Sequence, residues 1–424
     1  MSVELSGGEL ALGGVSLARA FDALRRLEPL ATAAYVYDLD QIDVRAQRLA
    51  TSFAPMRALV AYALKANSLP ALLERVRAAG LGADAGSLGE LEIARIAGFD
   101  SARTILNGNG RTEAEAARVA TNGIHSVNAD HVGELDVLEV AAKRAETTVR
   151  VALRVNPGIA TPGHHYVATG HEDAKFGIGP SEALEAWAAR ARWPHLRLDG
   201  LHLHVGSQIV DAAPLERAVE SALELVAAAA ARGVALGLVN LGGGFGVDYT
   251  GAGVDFPVEA HAARIASRVA HLSLDWVFEP GRWLVAPAGV LVAEVLWVKH
   301  RDGRRFVVLG AGMNDLLRPA LYRARHRIVP IVPRPGLSAP ATIVGPVCES
   351  ADVFDAEGML PPIERGDRVA ILDAGAYAAS MASNYNGRGR LAEIVIHEGE
   401  VRRVRAGETP AAIAARVTDD PLTL

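Results

Sequence analysis

The chain has 424 residues, of which half are hydrophobic and 22% charged, with a net charge of −6. That composition excludes a disordered chain and suits about two domains at roughly 100–200 residues each. The acidic balance offers no basic field for nucleic acid. The one cysteine, Cys348, excludes an internal disulfide framework and a multi-cysteine zinc site, which leads us to expect a reducing, cytoplasmic setting.

The N-terminal Met-Ser-Val-Glu-Leu-Ser-Gly-Gly has neither a basic nor an apolar signal region, so no signal peptide is expected. The most hydrophobic stretch, 222–239, contains Glu224 and Arg232 and reads as a buried helix running into a strand, not a membrane span. Residues Ala34–Leu39 read as an N-terminal strand. From about residue 58 to 281, short β-branched runs alternate with amphipathic segments. The runs are Ala58–Lys65, Gly82–Ser87, Thr104–Gly108, Ile124–Asn128, Val149–Asn156, Asp199–Gly206, Val239–Gly244 and Leu274–Gly281. Helical periodicity falls between them, as at Leu69–Ala79, Leu88–Ala97, Glu113–Ala120 and Ser181–Arg192. Eight β–α units over this length predict an α/β chain built on a (β/α)8 TIM barrel, in preference to an open sheet. After Arg282 the runs are separated by Gly, Pro and Asp: Val290–Val298, Arg305–Leu309, Ala341–Val344, Arg368–Asp373 and Glu393–His397. They predict a C-terminal all-β domain that also takes in the N-terminal strand. The expected division is 1–40, 41–282 and 283–424.

Barrel enzymes carry their chemistry at the carboxyl ends of the strands. Those ends are Lys65, Asp84, Asn107-Gly108-Asn109, Asn128, Arg154 with Asn156, His202 with His204, Gly242-Gly243-Gly244, and Glu279-Pro280-Gly281-Arg282. Together they predict one site at the barrel mouth. Only four of the 43 basic residues are lysines: Lys65, Lys143, Lys175 and Lys299. Lys65 reads either as a lysine snorkelling past a strand end or as an amine suited to a Schiff base. Gly242, Gly243 and Gly244 are either a tight turn or a backbone cradle for a phosphate, with Arg282 at the same corner. Glu279 needs a cation, which is either Arg282 or a protonated pyridine nitrogen. His204 is either a satisfied core histidine or a ring that stacks on a cofactor, and the acidic or cysteine ligands of a metal site are missing beside it, so no metal is expected.

These residues stand in segments that resemble the fold-type III pyridoxal-phosphate-dependent decarboxylases over nearly the whole chain. The segments run from Tyr35-Val-Tyr-Asp38 through Tyr62-Ala-Leu-Lys-Ala-Asn67, His165-Tyr-Val-Ala-Thr-Gly170, Lys175-Phe-Gly177 and His204-Val-Gly-Ser-Gln208. They continue with Glu279-Pro-Gly-Arg282, Met313-Asn-Asp315, Arg318-Pro-Ala-Leu-Tyr322, Cys348-Glu-Ser350, Gly375-Ala-Tyr377 and Asn384-Tyr-Asn386. The resemblance implies pyridoxal 5'-phosphate as cofactor, with Lys65 as its Schiff-base lysine and His204 stacked on its ring. It implies phosphate contacts from Ser207, Gly242, Gly243, Gly244, Gly281, Arg282 and Tyr377, and a pyridine-nitrogen partner in Glu279. Asp84, Glu90 and Arg154 match residues that support the cofactor end. Cys348 matches a proton donor supplied by the neighbouring subunit of a homodimer.

Two departures stand out. Gly310 replaces the family's usual Asp, and Ala31-Thr32-Ala33 replaces Gly-Thr-Pro. Substrate choice follows from charge. Arg318 can read a carboxylate bidentately and Glu349 can pair with an ammonium, with Arg282, Tyr322 and Tyr377 beside them. A distal carboxylate plus a distal ammonium describes meso-2,6-diaminopimelate, which would give L-lysine and CO2. Ornithine, arginine or a carrier-bound amino acid are the rival substrates. An amino-acid racemase is disfavoured by Glu279, and a non-catalytic relative by the presence of both Lys65 and Cys348.

Overall fold

The computed structural model describes residues 3–159, 175–253 and 255–417. It divides into two compact units, one of Asp43–Asp248 and Val254–Leu284, the other of Met1–Ile42, Tyr249–Gly253 and Val285–Leu424. The short excursion Tyr249–Gly253 belongs to the second unit, which no pattern in the sequence announces.

The first unit is a closed barrel of eight parallel strands in chain order: β1 (Leu59–Ala63), β2 (Gly82–Ala85), β3 (Thr104–Leu106), β4 (Ser126–Ala129), β5 (Val149–Arg154), β6 (Leu196–His202), β7 (Leu238–Asn240) and β8 (Asp275–Phe278). Strand β8 closes on β1 through Val277 opposite Leu59 and Phe278 opposite Val60. The barrel interior is small and branched, with Leu59, Ala61, Ile105, Ala152, Leu238 and Val277 in one buried cluster. Gly200 is needed there: a Cβ on it would lie 2.6 Å from the Cβ of Ala152, at the point where the β5–β6 register shifts.

Local sequence sets the covering helices. Thr112 and Glu115 form a reciprocal capping box ahead of Glu113–Asn122, and the Ser87 side chain caps Leu88–Ile96. The hydrophobic 222–239 stretch is helix Ala213–Ala231 followed by β7. Among the described residues no helix is long and apolar enough to cross a membrane.

The second unit is mostly sheet. One path runs Val353–Leu360, Ala339–Val344, Arg304–Leu309, Gly289–Arg301, Ala33–Asp38, Ala392–His397 and Glu400–Arg405. The N-terminal strand Ala33–Asp38 is central, antiparallel to Gly289–Arg301 and parallel to Ala392–His397. The expected sheet domain that takes in the N-terminal strand is present, and it also carries a helix. A three-stranded N-terminal sheet leads into helix Leu17–Leu27, whose Leu17, Phe21 and Leu24 join Val36, Val292, Ala370 and Ile394 in the buried core. The helix is amphipathic and capped by Ser16, a signal present in the sequence but not read from it.

Candidate active site

Strand β1 was expected to run through Lys65, but it stops at Ala63. Ala63 N–H donates to Pro280 O beyond the end of β8 at 3.0 Å, and the chain then makes the single 3₁₀ turn Leu64–Ala66. Tyr62 Oη donates to Asn67 O at 2.9 Å, and Asn67 Oδ1 accepts from Leu69 N–H at 3.0 Å. Leu64 and Ala66 are thereby buried, while the Lys65 side chain projects out and is exposed. This is the behaviour of an amine presented for chemistry at the mouth of the barrel.

Glu279, just past β8, lies at the centre of a buried polar cluster and is only 4% exposed. Its Oε1 accepts from Asn107 Nδ2 at 2.9 Å, Asn128 Nδ2 at 3.0 Å and Asn240 Nδ2 at 2.7 Å. Its Oε2 lies 3.5 Å from His202 Nε2. Arg282, the candidate ion-pair partner in the sequence, instead turns its Nη2 to Ser207 Oγ at 3.1 Å. Burial alone would push the Glu279 carboxyl up. The neighbouring His202, with the Lys65 charge, prevails and holds it well below the usual carboxylate range. Asp84, bonded to Asn107 Nδ2 at 2.7 Å, goes the other way: burial first, then the Glu279 charge, raise it to about 7.

The glycine run follows β7. Gly243 packs so tightly that a Cβ on it would lie 2.0 Å from Glu279 O. Gly242 and Gly244 have φ of +64° and +96°, and a Cβ on Gly244 would meet Gly206 O at 2.4 Å. Only glycine fits these positions, so the backbone itself forms the wall of the site at the strand end. Gly243 N–H donates to His204 Nδ1 at 3.2 Å, which sets the tautomer with Nε2 protonated. Burial, followed by the Lys65 and Arg154 charges, keeps this imidazole well below its ordinary pKa and therefore neutral. Pyridoxal phosphate fits this set: a presented amine, a glycine-only loop with Arg282 and Ser207 near it, a neutral ring, and a buried carboxylate.

The remaining barrel candidates lie around this cluster. Arg154 Nη1 is 3.4 Å from Asp130 Oδ1, and its guanidinium covers the Phe176 ring at 4.4 Å. Glu90 Oε2 accepts from Gly86 N–H at 2.6 Å, a loop-holding role next to Asp84. The segment His165–Gly170 lies outside the described residues. The sequence reading missed Asn240 and assigned no role to Asn107, Asn128 or His202. Their polar side chains at strand ends were the available signal.

Arg318, Tyr322, Cys348, Glu349 and Tyr377 belong to the sheet unit. Arg318 is buried at the start of helix Arg318–Tyr322. Its Nη1 donates to His326 Nε2 at 2.6 Å, and its guanidinium lies 4.4 Å from the Tyr249 ring centroid. Cys348 is exposed. Its loop is pinned on both sides. Asp352 accepts from Val347 N–H and Met313 N–H, each at 2.7 Å, and Asn386 Oδ1 accepts from Cys348 N–H at 2.8 Å. Glu349 is exposed beside it, and Tyr377 sits in the left-handed region at φ 56°.

A parallel barrel with this lysine, glycine loop and buried glutamate defines a pyridoxal-phosphate site, and residues 39–286 match the pyridoxal-binding domain of the pyridoxal-dependent decarboxylases. The chain is 39% identical over 385 residues to a diaminopimelate decarboxylase of Neisseria meningitidis serogroup A, covering 91% of this chain and 94% of that one. It is 34% identical over 406 residues to that of Aquifex aeolicus, covering 96% and 95%. The crystal structure of diaminopimelate decarboxylase from Helicobacter pylori complexed with L-lysine superposes with a TM-score of 0.87 at 34% identity, covering 93% of this chain and 98% of that one. The chain belongs to the pyridoxal-dependent decarboxylase family, in its diaminopimelate decarboxylase branch.

Proposed function

We propose that this chain decarboxylates meso-2,6-diaminopimelate to L-lysine and CO2, the closing step of lysine biosynthesis, with pyridoxal 5'-phosphate as cofactor. The observation that carries this reading is the buried Glu279 carboxylate, held between the Lys65 turn and a glycine-only loop in a chain of this family. Lys65 Nζ would anchor the cofactor covalently. Ser207, Gly242, Gly243, Gly244, Gly281, Arg282 and Tyr377 would hold its phosphate, and neutral His204 would lie against its ring. Asp84 and Arg154 would support the same end. When bound, the cofactor accepts the electron pair that departing CO2 leaves on the substrate's Cα. Glu279 keeps the ring nitrogen protonated, which makes that acceptance strong. This favours decarboxylation over racemisation, whose chemistry avoids a strong electron sink.

At the other end of the substrate, Arg318 would bind the distal carboxylate and Glu349 the distal ammonium, with Arg282, Tyr322 and Tyr377 alongside. The exposed Cys348 thiol would return a proton to Cα. We assign that thiol to the neighbouring subunit of a cytoplasmic homodimer, so that each site is completed by two chains. The test is CO2 release over a panel of diaminopimelate, lysine, ornithine and arginine, with the product identified. Preference for diaminopimelate with L-lysine as product supports the reading, and preference for any of the others overturns the substrate assignment.

A further inference from the structure

We propose that Asn107, Asn128 and Asn240 act together as positioning residues that clamp the Glu279 carboxylate, and that Asn240 ties this clamp to the glycine loop. The inference rests on the reading of Glu279 as the partner of the cofactor's ring nitrogen.

The orientation of each amide follows from its neighbours. Asn240 Oδ1 accepts from Gly242 N–H at 2.9 Å, so its Nδ2 must be the atom that faces Glu279 Oε1 at 2.7 Å. Asn107 Nδ2 faces two carboxylates, Asp84 Oδ1 at 2.7 Å and Glu279 Oε1 at 2.9 Å, which only a donor can do. Asn128 Nδ2 gives one hydrogen to Asn107 Oδ1 at 2.8 Å and the other to Glu279 Oε1 at 3.0 Å. All three amides are nine-tenths or more buried.

Three N–H donors on a single oxygen fix the carboxylate's rotamer and favour its charged form. They also occupy Oε1, which leaves Oε2, 3.5 Å from His202 Nε2, as the oxygen that faces another partner. Asn107 and Asn128 follow or lie in adjacent strands β3 and β4, while Asn240 ends β7. The clamp therefore spans the barrel and cannot shift without its strands. Asn240 is bonded at both ends, to the glycine loop and to the carboxylate. It makes the phosphate cradle and the ring-nitrogen partner one rigid unit.

The test uses the holoenzyme and four variants: Asn128→Leu, Asn240→Ala, Glu279→Gln, and Asn128→Leu combined with Glu279→Gln. Four quantities are measured: the visible absorbance of the bound cofactor, kcat and KM with diaminopimelate, and the Kd for pyridoxal phosphate after the cofactor is stripped. Asn128→Leu should shift the absorbance in the same direction as Glu279→Gln and lower kcat by about 10-fold or more, with KM nearly unchanged. The double variant should be no slower than Glu279→Gln alone to within about threefold, because the amide acts only through the carboxylate. Asn240→Ala should raise the Kd by about 10-fold, because the glycine loop loses the bond that anchors Gly242, while Asn128→Leu leaves it within about threefold.

An unchanged spectrum in Asn128→Leu, or losses that multiply in the double variant, would overturn the clamp. An unchanged Kd in Asn240→Ala would overturn the link to the glycine loop. Should Asn128→Leu fail to fold, Asn128→Ala carries the same expectations and the same refutations. A parent with the cofactor band but no CO2 from diaminopimelate would sink the substrate reading alone, since the spectral and affinity measurements stand without turnover.

Discussion

Gly310 is pressed against Thr32: a Cβ on Gly310 would lie 2.5 Å from the Thr32 Cβ, and Thr32 Oγ1 donates to Gly310 O at 2.9 Å. The two segments in which this chain departs from its family therefore touch. Restoring the family residue alone should be harmful here. Gly310→Asp is expected to destabilise the protein by about 1–3 kcal/mol through overpacking, and Gly310→Ala to account for most of that loss. Denaturant midpoints of the three proteins check this. An aspartate variant as stable as the parent would mean that Thr32 can yield.

Lys65→Ala should abolish both the visible absorbance of covalently bound cofactor and turnover. Borohydride should fix the cofactor to the parent protein and not to the variant. Near-normal turnover in the variant would overturn the assignment of Lys65.

Arg318 is oriented by a histidine whose tautomer is fixed. His326 Nδ1 is 2.8 Å from Leu372 O, so it must carry the proton, and Nε2 accepts from Arg318 Nη1 at 2.6 Å. Arg318→Ala should cost about 2–5 kcal/mol of transition-state binding, a fall in kcat/KM of roughly 30-fold to several thousandfold, with cofactor absorbance intact. His326→Ala should act through the same guanidinium and raise KM by about 10-fold, on the order of one charge-assisted hydrogen bond. Kinetics with diaminopimelate and ornithine in the parent and both variants settle the point. Unchanged diaminopimelate turnover in Arg318→Ala would refute the role of Arg318.

Shared sites predict complementation. Mixing inactive Lys65→Ala with inactive Cys348→Ala subunits should restore about one working site per heterodimer. Subunit exchange without recovered activity would contradict a site built from two chains.

Asp315 provides a pH test in the sheet unit. Burial pushes it from the usual carboxylate range to about 7, although Gly312 N–H donates to its Oδ2 at 2.9 Å. Its folded pKa is raised, so its contribution is fully present below about pH 4 and is lost as pH rises through 7. The stability difference between Asp315→Asn and the parent should shift in favour of the asparagine by a few degrees in Tm between about pH 5 and 8. A difference that does not change with pH would show that Asp315 is ionised throughout.

The sequence by itself determined the eight-stranded barrel, because β-branched runs, helical periodicity and polar strand ends are local properties that repeat along the chain. It also brought Lys65, the glycine loop, Glu279 and Arg282 to attention as strand-end residues. It could not say which partner Glu279 takes. Arg282 is three residues away in sequence yet bonds to Ser207, while Asn107, Asn128 and Asn240 reach the carboxylate from other strands. Strand closure made that choice, since it alone decides which strand ends converge. The same reason hid the Gly310–Thr32 contact and the Arg318–His326 pair. Each depends on segments packed by the sheet or the chain's turns, and no periodicity in the sequence encodes which side chains then meet.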